Sequence, residues 1–291
     1  MIKSWIEAMR LRTLPVSVAG VIAGSACAVL LHSFKLVPAV LCLSFAVLAQ
    51  IASNFANEYF DYKNGVDKKG REGFRRGVTE GDISPVAMKR ATFMTLGLAA
   101  LVGCSMLFYG PWWLLLVGIV IVLFALAYSA GPYPLSHHGL GDVAVVFFFG
   151  IIPVTFTCFL QTGSWTGWEI VLPTSVAVGL LAANVLVVNN YRDMEDDSAV
   201  NKRTTVVIFG RKVMSYAYLL SGFIAMLIML PVWQALPFHM LLVPAVYLLL
   251  HIIAWVALTK SKGAALNPLL GKTALNLLVF TLLFGDRKSV V

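Results

Sequence analysis

Two short stretches concentrate the oxygen donors of this chain. The first reads Asn54-Phe55-Ala56-Asn57-Glu58-Tyr59-Phe60-Asp61 and runs on to Gly65 and Asp67. The second reads Asn189-Asn190-Tyr191-Arg192-Asp193-Met194-Glu195-Asp196-Asp197, and holds four of the chain's 14 acidic residues. Asn54, Asn57, Glu58 and Asp61 are spaced 0, 3, 4 and 7, which places them on one face of a helix. Asp193, Asp196 and Asp197 repeat the spacing 0, 3 and 4. Carboxylates this close repel unless a cation or a raised pKa intervenes. Amide and carboxylate oxygens without thiolate or imidazole suit the hard ions Mg²⁺, Mn²⁺ and Ca²⁺. Of these, Mg²⁺ is commonly held by few carboxylates together with phosphate oxygens. Lys63, Arg75 and Arg76 stand near the first cluster, and Arg192, Lys202 and Arg203 near the second. Carboxylate for the ion, with Arg and Lys for leftover phosphate charge, is the mixture that a metal-bound polyphosphate needs. A solvated acidic helix end is the competing reading. It would show interleaved Glu and Lys rather than carboxamides and carboxylates on one stripe.

The elements that must carry these clusters are membrane spans. The chain is 59% hydrophobic and 12% charged, about half the charge fraction of a soluble domain, and its mean hydropathy is +0.84. Apolar runs of spanning length fall at 13–32, 37–59, 86–108, 112–130, 142–161, 168–190, 213–233, 237–258 and 267–285, nine in all. No stretch reads as a separate soluble unit, so residues 1–291 are taken as one polytopic, all-α domain. Ile2–Leu11, with Trp5, reads as a short amphipathic helix along the interface. Both acidic clusters close an inward-running span. Lys3, Arg10, Arg12, the Lys63–Arg90 basic residues including Arg71, those from Arg192 to Lys212, and Lys260 and Lys262 share one side in a nine-span chain. Only Lys35, Arg287 and Lys288 fall opposite, with Lys272 inside the last span. The positive-inside rule makes the shared side cytoplasmic, with the N-terminus and the polar loops there. That rule also accounts for the +8 net charge without invoking nucleic acid. Cys27, Cys42, Cys104 and Cys158 lie within spans and read as packing residues, and His137-His138 reads as a loop pair without zinc spacing.

The paired motifs resemble those of the intramembrane aromatic prenyltransferases, the UbiA-type superfamily, over most of the chain. Arg12-Thr13-Leu14-Pro15 is similar to the family's N-terminal R-T-L-P. Asn57-Glu58-Tyr59-Phe60-Asp61 with Gly65 and Asp67 is similar to N-D-Y-x-D-x-x-x-G-x-D, with Glu58 in place of the usual aspartate. Gly73-Phe74-Arg75-Arg76-Gly77 is similar to G-P-x-R-G, with Phe74 in place of proline. Ala127-Tyr128-Ser129, Gly131-Pro132 and Gly139-Leu140-Gly141-Asp142 match the loop after the fourth helix. Asn189 through Asp197, then Lys202-Arg203-Thr204, resemble N-N-x-R-D-x-x-x-D followed by G-K-R-T, with Asn201 in place of glycine. The details are most similar to the menaquinone branch, which prenylates 1,4-dihydroxy-2-naphthoate.

The resemblance implies about nine helices around a lipid-open chamber with a polar cytoplasmic cap. It implies Mg²⁺ held by Asn57, Asp61, Asp193 and Asp197, with Asp61 and Asp193 essential to catalysis. Arg12, Arg76, Arg192 and Lys202 would bind the diphosphate of a polyprenyl diphosphate. Asn54, Glu58, Asp67, Tyr128, Asp142, Asn190 and Asp196 would stand behind the metal or on the acceptor side. The implied product is the decarboxylated, prenylated naphthoquinol, demethylmenaquinone. 4-Hydroxybenzoate is the alternative acceptor. Tyr128, Tyr133 and the Phe147-Phe148-Phe149 run offer faces to an allylic cation, although at least two of the three phenylalanines are read as packing. An ion-coupled transporter is the alternative of another class. It would carry its charges near the bilayer midplane in interrupted helices, whereas here they collect at one face.

Overall fold

Near-continuous apolar sequence leaves a backbone in lipid one economical solution, hydrogen bonding within each segment. The computed structural model describes residues 2–70 and 72–286. Arg71, Arg287 and Lys288 of the charge count lie outside them. In order the helices are α1 (Ile2–Met9), α2 (Leu14–Leu30), α3 (Leu36–Lys63), α4 (Gly77–Glu80), α5 (Pro85–Ser105), α6 (Leu114–Ala127) and α7 (Gly141–Val145). They continue with α8 (Ile152–Thr162), α9 (Trp168–Arg192), α10 (Met194–Ala199), α11 (Thr205–Ile228), α12 (Leu230–Gln234), α13 (Leu242–Lys260) and α14 (Asn267–Phe284). Among the described residues there is no strand beyond an isolated bridge between His138 and Arg203.

Every predicted span is found as a helix, in the predicted order. Seven helical segments are long and apolar enough to cross a bilayer. The first and fourth predicted spans are shorter, α2 having 17 residues and α6 14. An eighth candidate crossing arises if α1 and α2, bent by 48° at their junction, act together. The protein is thus a multi-pass membrane protein, with seven to eight candidate crossings among the described residues where nine were predicted.

Local chemistry sets the boundaries. Ser84 caps α5 by accepting the Ala87 N–H, with Pro85 in the first turn, where its missing N–H costs nothing. Thr204 caps α11 by accepting the Val207 N–H, so α11 begins eight residues before the predicted 213. Arg211 and Lys212 had marked this stretch as loop, but Thr205–Phe209 is an apolar turn joined on at Gly210, whose φ of +78° kinks the helix. The 142–161 span is composite. Its middle, Val146–Ile151, is a π-helical turn immediately before Pro153 in α8.

α9 runs through the centre, with 67% of its apolar window buried. Small residues let neighbouring backbones approach. A Cβ on Gly150 would lie 2.3 Å from Gly179 Cα, and one on Gly179 2.6 Å from Val146 O. Gly20 and Gly24 of α2 meet Phe149 O and Val154 O in the same way, at 2.8 and 2.5 Å. This G-x-x-x-G pair is therefore used inside the chain. α1 lies against α3, with Ser4 and Ala8 inward, Ile2 and Ile6 outward and Trp5 edge-on to Phe55 at 5.6 Å. The four cysteines are free, and only Cys104 is exposed.

Candidate active site

The inward stripe of α3 does what its spacing implies: Asn54, Asn57, Glu58 and Asp61 are all buried. Their tasks differ. Asn54 donates to Met9 O at 3.0 Å and accepts from Gln50 at 3.3 Å, which pins the α1–α2 turn to α3. Arg10 turns there with φ +53° and its guanidinium reaches Asn57 Oδ1. Arg76 stands 3.5 Å from the same oxygen and 3.3 Å from Asp67. The Asn57 amide nitrogen donates to Asp61 Oδ2 and to Ser129 Oγ, each at 2.9 Å. One carboxamide thus links two guanidinium groups to a carboxylate. Glu58 accepts the Val78 N–H at 3.0 Å and anchors α4.

The second cluster begins where α9 ends. Asp193 is the joint between α9 and α10, and Arg192 forks it with two bonds of 2.7 Å. The same guanidinium donates to Asn189 and Asn267, each at 2.9 Å. Asp197 meets Lys202 Nζ at 3.2 Å. Asp196 accepts the Glu72 N–H at 3.1 Å, outside this group. Glu195 is forked by Arg211, which keeps its carboxyl below the usual range.

The two clusters meet at one cavity of about 160 Å³. α3 gives it Asn54 and Asn57, α9 gives Asn189 and Asn190, and the polar segments give Arg10, Arg76 and Lys202. Asp61 and Asp197 stand just behind this wall through Asn57 and Lys202, and Asp193 one step further back, through Arg192 to Asn189. Lys202 and Arg10 also act electrostatically on Asp61. A second, apolar cavity of about 420 Å³ adjoins the first. The two share Gln50, Ser53, Tyr128, Val145 and Phe149 as wall.

One atom speaks directly to metal binding. Asp61 Oδ1 is buried without a hydrogen-bond partner among the described residues, and His137 Nε2, equally unsatisfied, lies 3.9 Å away. A buried carboxylate oxygen in that state is costly, and a hard cation would satisfy it. No group of three or more His, Cys, Asp or Glu arranged to hold a metal occurs among the described residues. Few carboxylates completed by phosphate oxygens, the usual Mg²⁺ arrangement, remain compatible with this donor set.

The other predicted residues are placed as follows. Arg12 does not line the cavity; its guanidinium lies over the Phe74 ring at 4.8 Å, and Arg10 occupies the wall instead. Arg192 makes four hydrogen bonds to protein oxygens, those of Asp193, Asn189 and Asn267. Tyr133 stacks on His138 at 3.5 Å and is exposed, away from the chamber. Two phenylalanines of the run, Phe148 and Phe149, line the apolar cavity, and only Phe147 is exposed. Asp142 accepts from Thr205 at 2.5 Å and joins α7 to α11. Tyr128 does stand at the junction of the cavities. Sequence reading missed Arg10, Ser129 and His137. The predicted helix ran on to Leu11, whereas α1 ends at Met9 and the turn that follows carries Arg10 to the wall.

Comparison with known proteins agrees with this picture. Residues 17–278 match the UbiA prenyltransferase family. The chain is similar to the 1,4-dihydroxy-2-naphthoate octaprenyltransferase of Escherichia coli (strain K12), 33% identical with 97% of this chain and 94% of the relative covered. It is similar to the enzyme of the same name from Mycobacterium tuberculosis, 34% identical with 96% and 94% covered. In fold it resembles a UbiA homolog from Archaeoglobus fulgidus solved bound to GPP and Mg²⁺, with a TM-score of 0.70, 14% identity, and 97% and 99% of the two chains covered.

Proposed function

The chain belongs to the UbiA prenyltransferase family, and we propose that it transfers a polyprenyl group from a polyprenyl diphosphate to 1,4-dihydroxy-2-naphthoate, with release of diphosphate and CO₂. The observation that carries this reading is the convergence of both Asn/Asp motifs on one polar cavity that adjoins an apolar one. The relatives' names supply the acceptor. Residues 1–291 act on this reading as a single polytopic prenyltransferase domain.

The residues support the chemistry as follows. Arg10, Arg76 and Lys202 give the polar wall the cationic donors that a diphosphate requires. Arg10 takes the part expected of Arg12, and Arg192 holds Asp193 in place. Asn57, Asp61, Asp193 and Asp197 would hold Mg²⁺, which when bound neutralises the departing diphosphate. The apolar cavity receives the prenyl chain and keeps water from the allylic carbon. Tyr128, Phe148 and Phe149 line that cavity, where aromatic rings would stabilise the developing positive charge. The allylic C–O bond breaks, the ring carbon bearing the carboxylate attacks, and loss of CO₂ restores aromaticity.

Purified protein in detergent, given polyprenyl diphosphate and carboxyl-labelled naphthoate, is expected to release labelled CO₂ in step with prenylated product, and only with a divalent cation present. A bicyclic ring buries more apolar area than a single ring by roughly 1–3 kcal/mol. kcat/KM for 4-hydroxybenzoate should accordingly be at least about 10-fold lower. A product that keeps its carboxyl group, or a preference for 4-hydroxybenzoate, overturns the acceptor. Absence of prenylated product with every aromatic acid overturns the activity.

Orientation follows from charge. We assign the N-terminus, both motifs and the 131–141 loop to the cytoplasmic side, because the basic residues gather there. In a cysteine-free background, Gly70→Cys is expected to label from the cytoplasm and Asp286→Cys from outside. Labelling of both from one face would require an even number of crossings.

A further inference from the structure

Phe74 stands where the family pattern has proline, and its ring is within cation–π reach of two guanidinium groups. Arg12 is 4.8 Å and Arg192 5.2 Å from its centroid. Two residues earlier, Glu72 accepts the Ala264 N–H at 2.9 Å, in the turn between α13 and α14. The Glu72 N–H in turn donates to Asp196 at 3.1 Å. Gly263 has φ +54°, and a Cβ there would fall 2.7 Å from the Glu72 carboxylate, so this turn is shaped around that side chain. Two residues after Phe74, Arg76 lines the polar cavity and reaches Asn57 and Asp67. Segment 72–76 is therefore tied to the second motif, to the α13–α14 turn and to the first motif. The guanidinium that the Phe74 ring covers belongs to Arg192, which forks Asp193 and holds Asn189 of the cavity wall.

We propose that Phe74 is a positioning residue for prenyl diphosphate. Its ring, within cation–π reach of Arg12 and Arg192, fastens the strap 72–76 between the two motifs and keeps Arg76 and, through Arg192, Asn189 of the wall in register with the cavity. An aromatic face attracts both cations, whereas an aliphatic side chain offers packing alone. Phe74 is half-buried and packs on the main core, so the two contributions must be separated experimentally. Phe74→Leu keeps apolar contact and removes the ring; Phe74→Tyr keeps both.

The inference rests on the prenyltransferase reading for its kinetic arm only. Without substrate, amide hydrogen exchange of Phe74→Leu is expected to quicken about 10-fold in peptides spanning 72–78 and 262–268, with the rest of the chain unchanged. Gly263→Ala, which displaces Glu72, should quicken the same two peptides. In turnover, Phe74→Leu should raise KM for prenyl diphosphate about 10-fold, with kcat and the acceptor KM within about 2-fold, and Phe74→Tyr should restore it. Wild-type exchange in both Phe74→Leu and Gly263→Ala, or a fall in kcat at unchanged KM, overturns the proposal. A wild-type protein that makes no prenylated product refutes the enzymatic reading instead, while the exchange result still judges the strap.

Discussion

Asp61→Ala is expected to lower turnover by on the order of 10²-fold or more while leaving the protein inserted and folded. The carboxylate is buried at the end of α3, and only one of its oxygens has a hydrogen-bond partner among the described residues. Truncation leaves the Asn57 amide nitrogen its bond to Ser129 and removes a like charge near Glu58 on the same helix. Loss of a fold-bearing contact is therefore small. What disappears is negative charge beside a cavity walled by Arg10, Arg76 and Lys202, where a cation would otherwise balance it. Asp61→Asn keeps size and hydrogen bonding, so it should be nearly as slow if charge is the working property. Turnover at saturating Mg²⁺, beside a thermal melt of the same preparation, reads both quantities. Near-wild-type rates in the alanine variant would remove Asp61 from the site.

The opposite signature is expected of Gly150→Ala. A methyl group there meets Gly179 Cα at 2.3 Å, Gly179 N at 2.4 Å and Ser175 O at 2.5 Å. All three are backbone atoms of α9, so no side-chain rotation relieves the clash. Overpacking of this kind costs about 3 kcal/mol or more, which corresponds to a fall in melting temperature on the order of 10 °C. Yield of folded protein and the melting midpoint should drop together, and any surviving protein should retain normal KM values. A midpoint within about 2 °C of wild type would show that the π-helical turn can open to admit the methyl group.

These two residues illustrate what the sequence does and does not disclose. Asp61 was legible because its neighbours repeat at helical spacing and because carboxylates are scarce in an apolar chain. Gly150 was not, since its role depends on which helix lies opposite, and no local pattern carries that. The helices themselves were plain, because uninterrupted hydropathy in lipid permits little else. Boundaries failed where a cap and a kink outweighed charge, as at Thr204 and Gly210. Within the site, residue types pointed to the region, while the individual contacts depend on the fold. Glu58 and Asp196 belong to the acidic stripes, yet each accepts a backbone N–H that fixes a loop. Arg10 rather than Arg12 reaches the cavity because the α1–α2 turn aims one outward and the other inward, a distinction invisible in a list of basic residues.

The pinned turn at Arg10 also bears on biogenesis. Segments of a chain become available in order of synthesis, and the polar cavity draws on both ends of that order. Arg10 precedes the first long helix, and Leu270 lies in α14 beside Asn267, which holds Arg192. A nascent chain released as far as α13 already contains both acidic motifs and every basic residue of the wall. It still lacks α14, which supplies Leu270 to the wall and Asn267 to Arg192. On the prenyltransferase reading, the charged groups that meet a diphosphate are therefore all made before the helix that completes their surroundings.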